Sequence, residues 1–178
     1  MTAGGPDLAA LRALVRDIPD FPQPGVLFKD ITPLLVEPAA FAAVIDALAD
    51  HAAELRVDRV VGIEARGFVL AAPVAYRLGV GFVPLRKPGK LPHRTASVSY
   101  GLEYGADALE VHLDAAAAGH RVLLVDDVLA TGGTAAAAVE LLTGLGATVA
   151  AATFLIELAF LKGRARLEGQ HVRALLTY

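Results

Sequence analysis

The chain contains the sequence Val122-Leu-Leu-Val-Asp-Asp-Val-Leu-Ala-Thr-Gly-Gly-Thr134, in which three kinds of residue follow one another. Four apolar residues come first and predict a short buried strand. Asp126 and Asp127 stand at the end of that strand. Residues 130–134 are small or carry a hydroxyl, and they predict a tight loop followed by a helix that begins at Gly133 or Thr134. The run therefore predicts a strand–loop–helix unit with two carboxylates at the strand end.

Short apolar strands alternate with helices over most of the remaining chain. The alternation is typical of parallel βαβ units, in which helices cover both faces of the sheet. We therefore expect an α/β fold with a mostly parallel central sheet flanked by helices, formed by a single domain over residues 1–178. The predicted strands are 59–63, 81–85, 121–125, 147–156 and an edge strand at 171–176, and the predicted helices are 67–78 and 133–145.

The N-terminal part of the chain predicts other local structure. Residues 1–7 are expected to form a frayed tail, and apolar spacing predicts a first helix over about 6–17. Residues 18–25 contain three prolines, which exclude a regular helix or a central strand. Pro38 is placed to open another helix at its first turn.

A long connection at residues 86–108 interrupts the alternation. After Arg86 it contains two prolines, three glycines and three basic residues. A connection of this length in a compact domain is usually a functional lid or a disordered insert, and we expect a flexible lid here. Residues 97–100 and 109–113 can pair as a small hairpin, because apolar and polar residues alternate in the second segment.

Composition limits the classes of ligand. The net charge of −3 offers no global attraction to nucleic acid or to an anionic membrane, so an anionic ligand requires a local cationic cluster. No run approaches the roughly 20 apolar residues of a spanning helix. The chain has no cysteine, and its first seven residues do not resemble a signal peptide, which together favour the cytoplasm. We expect small-molecule substrates, with no nucleic-acid or membrane partner.

The acidic pair and the loop after it suit a phosphorylated sugar. Asp126 and Asp127 would repel each other, and this cost is offset if they face paired hydroxyl groups or a divalent cation. Residues 130–134 offer backbone N–H groups at a helix N-terminus, which bind a phosphate without net positive charge. An exposed turn and an ordinary helix cap are the alternative for such residues taken alone. Neither a Gly-x-Gly-x-x-Gly after a strand nor a Gly-Lys-Ser/Thr occurs in the chain.

The run at 122–134 resembles the phosphoribosyl-diphosphate signature of type I phosphoribosyltransferases. The resemblance implies that Asp126 and Asp127 bind the ribose hydroxyls. It implies that the 5-phosphate is wrapped by Ala130, Thr131, Gly132, Gly133 and Thr134. Mg²⁺ is expected with the donor, held mainly through the substrate and by no direct protein ligand.

Further motifs in the same order along the chain resemble the adenine phosphoribosyltransferase family. The segments that carry the likeness are 20–32, 62–68, 86–92, 99–105 and 161–167. The first is similar to a base-binding element, formed here by Val26, Leu27, Phe28 and Lys29. A flat ring such as Phe28 can stack on a purine, and backbone groups near Val26 and Leu27 are implied to read the base edge. Lys29 corresponds to a basic position of the family.

Three cations, Arg66, Lys87 and Lys90, form the local cluster that an anionic ligand requires. The resemblance implies that they bind the diphosphate leaving group and stabilise its charge in the transition state, and it places Arg66 among the catalytic residues. Arg86 is implied to bind the donor too, in the site of the neighbouring subunit of a homodimer. Glu64, at a strand end, has no assigned role and is expected to cap or to pair with Arg66.

Glu103, with Tyr104 beside it, resembles the catalytic glutamate of the family. A carboxylate beside the purine can accept the proton that the base loses or stabilise positive charge, and the sequence does not separate these roles. The implied function is purine salvage, in which adenine and phosphoribosyl diphosphate give AMP and diphosphate. Two alternatives stay open: a transferase for a 6-oxopurine (xanthine, hypoxanthine or guanine), and a regulator that senses phosphoribosyl diphosphate.

Overall fold

The computed structural model describes residues 6–102, 105–115 and 118–178. The chain divides into two compact units, Met1–Ala47 and Leu48–Tyr178. Each unit has its own sheet structure, and the boundary falls within a helix that begins at Pro38.

The first unit combines short helices with a two-stranded antiparallel sheet. Its elements are helix α1 (Leu8–Ala13), strands β1 (Arg16–Pro19) and β2 (Leu27–Asp30), helix α2 (Thr32–Val36) and the start of helix α3 (Pro38–Asp50). Asp7 caps α1 by accepting hydrogen bonds from the backbone N–H groups of Ala9 and Ala10. Pro38 begins α3, as predicted.

The prediction of a helix over 6–17 is wrong in its second half. Helix α1 ends at Ala13, and the chain enters β1 at Arg16. Strand β1 pairs with β2, with Ile18 opposite Phe28 and Asp17 opposite Lys29. The ladder to a strand beyond the proline loop supplies the backbone hydrogen bonds that a longer helix would have made, so the long-range pairing overrides the local apolar spacing.

The second unit is built on a five-stranded parallel sheet in the order β4-β3-β7-β8-β9. This confirms the α/β fold and the parallel sheet expected from the alternating pattern. A separate antiparallel hairpin joins β5 to β6. In chain order the elements are β3 (Arg59–Ile63), α4 (Arg66–Leu78), β4 (Gly81–Leu85), β5 (Thr95–Leu102), β6 (Gly105–His112), β7 (Arg121–Leu129), α5 (Gly133–Gly144), β8 (Thr148–Glu157), two short 3-10 helices (Ala159–Leu161 and Gly163–Leu167) and β9 (Val172–Thr177).

Strand β7 is longer than predicted and runs through the acidic pair to Leu129. The prediction that the strand ends at Val125 is therefore wrong. The extension is stabilised by β8, whose Phe154 pairs with Asp126 and whose Ile156 pairs with Val128. The two carboxylates thus belong to a paired strand, and the loop that opens α5 begins only after Leu129.

The predicted hairpin is present and is longer than expected. Strands β5 and β6 pair over their whole length, with Ser97 opposite Glu110 and Tyr100 opposite Asp107. Leu109 and Val111 are fully buried in the same apolar cluster as the central strands, which fixes the hairpin to the core of its unit. Within the ranges that the structure describes, no helix is long and apolar enough to cross a membrane.

Candidate active site

The acidic pair of β7 lies against the first turn of α4. Arg66, the first residue of that helix, places its Nε 2.7 Å from Oδ2 of Asp127, and the Asp127 side chain is 6% exposed. Burial raises the pKa of Asp127, and the charge of Arg66 opposes that rise. The pKa of Asp126 lies well above its ordinary value, mainly because of burial and secondly because of the neighbouring negative charge of Asp127. The pair thus has two carboxyl groups but resists carrying two full charges.

Gly67 allows this close approach of helix and strand. A Cβ atom at this position would lie 2.7 Å from Oδ1 of Asp126 and 3.1 Å from the carbonyl oxygen of Val125. Any other residue would therefore push α4 away from β7 and weaken the contact between Arg66 and Asp127. The motif at 62–68 thus has a steric reason for glycine after arginine.

Residues 130–134, predicted to bind the phosphate, form the loop between β7 and α5, which we term the phosphate cradle. Gly132 has a left-handed backbone with φ of +80°, and Gly133 is the first residue of the helix. Gly132 and Gly133 are buried, while Thr131 is exposed and Thr134 half-buried. The carbonyl of Gly132 already accepts the N–H of Ala136. This arrangement directs the N-terminal end of α5 at the loop, as phosphate binding requires.

Gly163 supports the cradle from the second 3-10 helix. A Cβ on Gly132 would overlap the carbonyl oxygen of Gly163, and a Cβ on Gly163 would overlap the carbonyl oxygen of Ala130. The two backbones therefore pack directly on each other. The same 3-10 helix brings Nη1 of Arg166 to 4.0 Å from the Cβ position of Gly133. The segment 161–167 resembles a family motif, but its position in the sequence does not indicate that it packs against this loop.

The cations of the predicted lid are held by carboxylates. Lys87 Nζ forms an ion pair with Asp107 of β6 and lies 3.4 Å from the hydroxyl of Tyr100, which donates to the same carboxylate over 3.1 Å. Burial alone would lower the pKa of Lys87, but the bonds to Asp107 and Tyr100 raise it. Lys87 is therefore charged and tied to the hairpin.

Glu64 forms ion pairs with two further cations, Arg86 and Lys90. Its carboxylate lies 3.2 Å from Nε of Arg86 and 2.7 Å from Nζ of Lys90. Arg66, which the sequence offered as one possible partner of Glu64, forms an ion pair with Asp127. Each of the four predicted diphosphate-binding cations is thus paired with a carboxylate of the same unit.

The predicted base loop belongs to the first unit. The ring of Phe28 packs edge-on against Phe21 at 5.1 Å between centroids. Val26 uses its N–H to donate to Gln23 and its carbonyl to accept from Phe21, while the Leu27 side chain is 48% exposed. Lys29 is buried, and its Nζ lies 2.5 Å from Oδ1 of Asp17. The geometry leaves the ring of Phe28 half-buried in a loop fixed by internal hydrogen bonds.

Glu103 and Tyr104, the predicted catalytic pair, lie outside the described residues. They belong to the connection between β5 and β6, whose paired strands end at Leu102 and begin again at Gly105. The role of Glu103 therefore stays a prediction from the sequence.

The parallel sheet, the acidic pair on β7 and the glycine cradle before α5 define a phosphoribosyltransferase of type I. The phosphoribosyl transferase domain family matches residues 31–171. An adenine phosphoribosyltransferase of Acidothermus cellulolyticus is 63% identical over 164 residues, which cover 92% of this chain and 93% of that protein. The chain belongs to the adenine phosphoribosyltransferase family.

Solved structures agree with this family. Adenine phosphoribosyltransferase of Thermoanaerobacter pseudethanolicus superimposes with a TM-score of 0.94 at 50% identity, covering 96% of this chain and 99% of that one. The Saccharomyces cerevisiae enzyme, solved with adenine and an imino-altritol bisphosphate, gives 0.90 at 42% identity, covering 94% and 97%. The recognition made from the sequence is confirmed.

Proposed function

We propose that this chain transfers the 5-phosphoribosyl group of phosphoribosyl diphosphate to adenine, giving AMP and diphosphate in purine salvage. The observation that carries the proposal is that β7, the glycine loop and α5 follow one another without interruption. Arg66 of α4 forms an ion pair with Asp127 of β7, just before that loop. Adenine phosphoribosyltransferases of Acidothermus cellulolyticus and Thermoanaerobacter pseudethanolicus match 92% and 96% of the chain.

The donor is held, in this proposal, along the carboxyl edge of the sheet. Asp126 and Asp127 accept hydrogen bonds from the ribose hydroxyls, and residues 130–134 bind the 5-phosphate through backbone N–H groups. Two neighbouring buried carboxyl groups cost free energy unless they receive hydrogen bonds. The ribose hydroxyls would donate these bonds, which supports this assignment. Lys87, Lys90, Arg86 and Arg66 receive the diphosphate, whose negative charge grows as it departs.

The acceptor is held by the loop of the first unit. Phe28 stacks on the purine, and backbone groups of Val26 and Leu27 read its edge, with Lys29 as a neighbouring cation tied to Asp17. The carbonyl of Val26 keeps a second lone pair after accepting from Phe21, which suits the amino group of adenine. A ring nitrogen attacks C1 of the ribose, the bond to diphosphate breaks, and Glu103, beside Tyr104, accepts the proton of the base or stabilises its charge.

Mg²⁺ is proposed as the cofactor, held mainly through oxygens of the donor. In the described parts of the chain no group of three or more acidic or histidine side chains is placed to hold a metal ion. Asp126 and Asp127 supply two carboxylates beside the ribose position, which fits a cation shared with the substrate. The chemistry it supplies when bound is neutralisation of charge on the diphosphate.

A homodimer is proposed as the assembled form. Helix α4 has an outward face that includes Val69, 43% exposed, and Tyr76, 89% exposed. Apolar side chains seven residues apart share one face of a helix, and a second copy of the chain would cover them. Light scattering of the purified protein is expected to give twice the chain mass, and a monomeric mass at micromolar concentration would reject the dimer. The cytoplasmic location stays a prediction.

The test of the activity compares four bases with one donor. Purified protein with Mg²⁺ and phosphoribosyl diphosphate is given adenine, hypoxanthine, guanine or xanthine, and nucleotide formation and diphosphate release are measured. We expect turnover with adenine and rates at least roughly 100-fold lower with 6-oxopurines, since these present an acceptor where adenine presents a donor. Comparable rates with a 6-oxopurine would overturn the adenine assignment, and donor binding without turnover would favour the regulator.

A further inference from the structure

Glu64 directly follows β3, and its carboxylate accepts hydrogen bonds from the turn that follows β4. Its side chain is 10% exposed. The carboxylate accepts hydrogen bonds from Nε and Nη2 of Arg86 at 3.2 and 3.4 Å, from the backbone N–H of Lys87 at 3.0 Å and from Nζ of Lys90 at 2.7 Å. Every group of this turn that bonds to Glu64 belongs to a residue of the predicted diphosphate site.

Glu64 is ionised at all pH values near neutrality. Burial alone would raise the pKa of Glu64, but the hydrogen bonds from Lys90, Lys87 and Arg86 outweigh burial and lower it to about 2. A carboxylate with so little exposure is costly unless it is paired. Its two cationic partners satisfy this requirement, so the three side chains form one charged cluster.

The cluster leaves the cations with capacity for an anionic ligand. Arg86 donates through Nε and Nη2 to Glu64 and through Nη1 to the carbonyl of Lys90 at 3.1 Å. A guanidinium has five N–H groups and an ammonium has three, so both cations can bind a phosphate oxygen while they remain bound to Glu64. Glu64 thus restricts the two flexible side chains without using all their donors.

Glu110 of β6 is a second carboxylate that bonds to the same turn. Its Oε2 accepts the backbone N–H of Gly89 at 3.1 Å. Within the described parts of the chain, its side chain forms no ion pair with a cation. Glu110 therefore bonds to the backbone of the turn, whereas Glu64 bonds to the backbone and also to the charged side chains of Arg86 and Lys90.

We propose that Glu64 is a positioning residue for diphosphate, which holds Arg86 and Lys90 in place before the donor arrives. The proposal rests on the proposed function, in which these cations receive the leaving group. Long basic side chains lose conformational entropy when a ligand immobilises them, and earlier restriction by Glu64 reduces that cost. Glu64 acts through the two cations and needs no contact with the substrate.

The test compares Glu64→Gln with Glu110→Gln. Both substitutions keep an oxygen that can accept a backbone N–H, and only the first removes a charge paired with cations. The dissociation constant of inorganic diphosphate is measured by calorimetry with Mg²⁺ present, together with KM for the donor, KM for adenine and the thermal midpoint. We expect Glu64→Gln to raise the diphosphate constant and the donor KM by roughly tenfold, as for one lost charge-assisted pair, and KM for adenine to stay within twofold. Glu110→Gln is expected to change neither by more than twofold.

Three results would overturn the proposal. An unchanged or tighter diphosphate constant in Glu64→Gln would show that Glu64 is dispensable or competes with the ligand. An equal loss in Glu110→Gln would assign the effect to folding of the turn. Additive losses in the double variant Glu64→Gln/Lys90→Gln would show that Glu64 does not act through Lys90, since a shared pathway requires a smaller combined loss.

Two further measurements keep the test decisive. If Glu64→Gln does not fold, Glu64→Asp keeps the charge one methylene farther back, and its diphosphate constant is expected to rise by a few fold; no rise would reject the proposal. Wild-type turnover of adenine tests the proposed function separately. A chain that fails that assay but shows the expected difference in diphosphate binding would keep the role of Glu64 and lose the adenine activity.

Discussion

Nε of Arg66 lies 2.7 Å from Oδ2 of Asp127, so the first residue of helix α4 is joined to the acidic pair of strand β7. This ion pair connects a predicted diphosphate-binding cation with a predicted ribose-binding carboxylate. The two halves of the donor would therefore contact residues that also contact each other. A substitution at either position is expected to affect binding of the whole donor and not of one part alone.

Replacement of both carboxylates should weaken donor binding. In Asp126→Asn/Asp127→Asn the ribose hydroxyls lose two carboxyl acceptors and Arg66 loses its charged partner, so the dissociation constant of phosphoribosyl diphosphate should rise by about 10- to 100-fold. Calorimetry with Mg²⁺ measures it. Asp114→Asn, at an exposed position away from this strand, serves as the control for the change of charge. An unaltered affinity in the double variant would refute the ribose assignment.

The ligand-free stability of Asp126→Asn should depend on pH differently from that of the wild type. Because the pKa of Asp126 is raised in the folded protein, the folded chain binds more protons than the unfolded chain from about pH 4 upward. Wild-type stability due to this group is present at low pH and is lost as the pH rises through the folded pKa. The variant should therefore gain stability relative to the wild type as the pH rises above about 4, the ordinary pKa of an aspartate. Urea unfolding across this range measures the difference, and parallel curves would contradict it.

Substitution of Gly132 should damage the cradle. Gly132→Ala places a Cβ against the carbonyl oxygen of Gly163 and forces a left-handed φ of +80° on alanine, so both the loop and its support must move. We expect a lower thermal midpoint and loss of affinity for ribose 5-phosphate by about tenfold or more. Gly144→Ala, at the end of the same helix with open space around it, is the matched control and should be neutral or stabilising by up to about 1 kcal/mol. Equal behaviour of the two variants would argue against the close packing of Gly132 on Gly163.

Removal of Glu103 should slow the chemical step and spare donor binding. Glu103→Ala removes the carboxylate proposed beside the purine, and kcat should fall by roughly 100-fold or more. Single-turnover measurements with adenine give the rate, and calorimetry gives the donor affinity, which should stay within twofold. Glu103→Gln separates the two roles, because an amide cannot accept a proton as a carboxylate does. Unchanged turnover in Glu103→Ala would remove the catalytic assignment.

Local chemistry along the chain was enough to predict most of the fold. The alternation of apolar strands and helices predicted the parallel sheet, and the hairpin of β5 and β6 followed from alternating residues near Leu109. Helices and strands of this kind depend on residues a few positions apart, so the spacing of apolar residues along the chain predicts them. The helix over 6–17 failed because β1 is stabilised by its partner β2 and not by its own sequence.

The glycine cradle and the acidic pair were visible in the sequence by itself, because their chemistry lies within thirteen consecutive positions and depends on residue type. Only the tertiary structure decided which charges meet. Glu64 binds Arg86 and Lys90, which are 22 and 26 residues away, because the parallel strands β3 and β4 end side by side. Gly163 supports Gly132 through direct backbone packing. Contacts of this kind depend on how strands and loops are brought together in space, and no local pattern of residues specifies the partner.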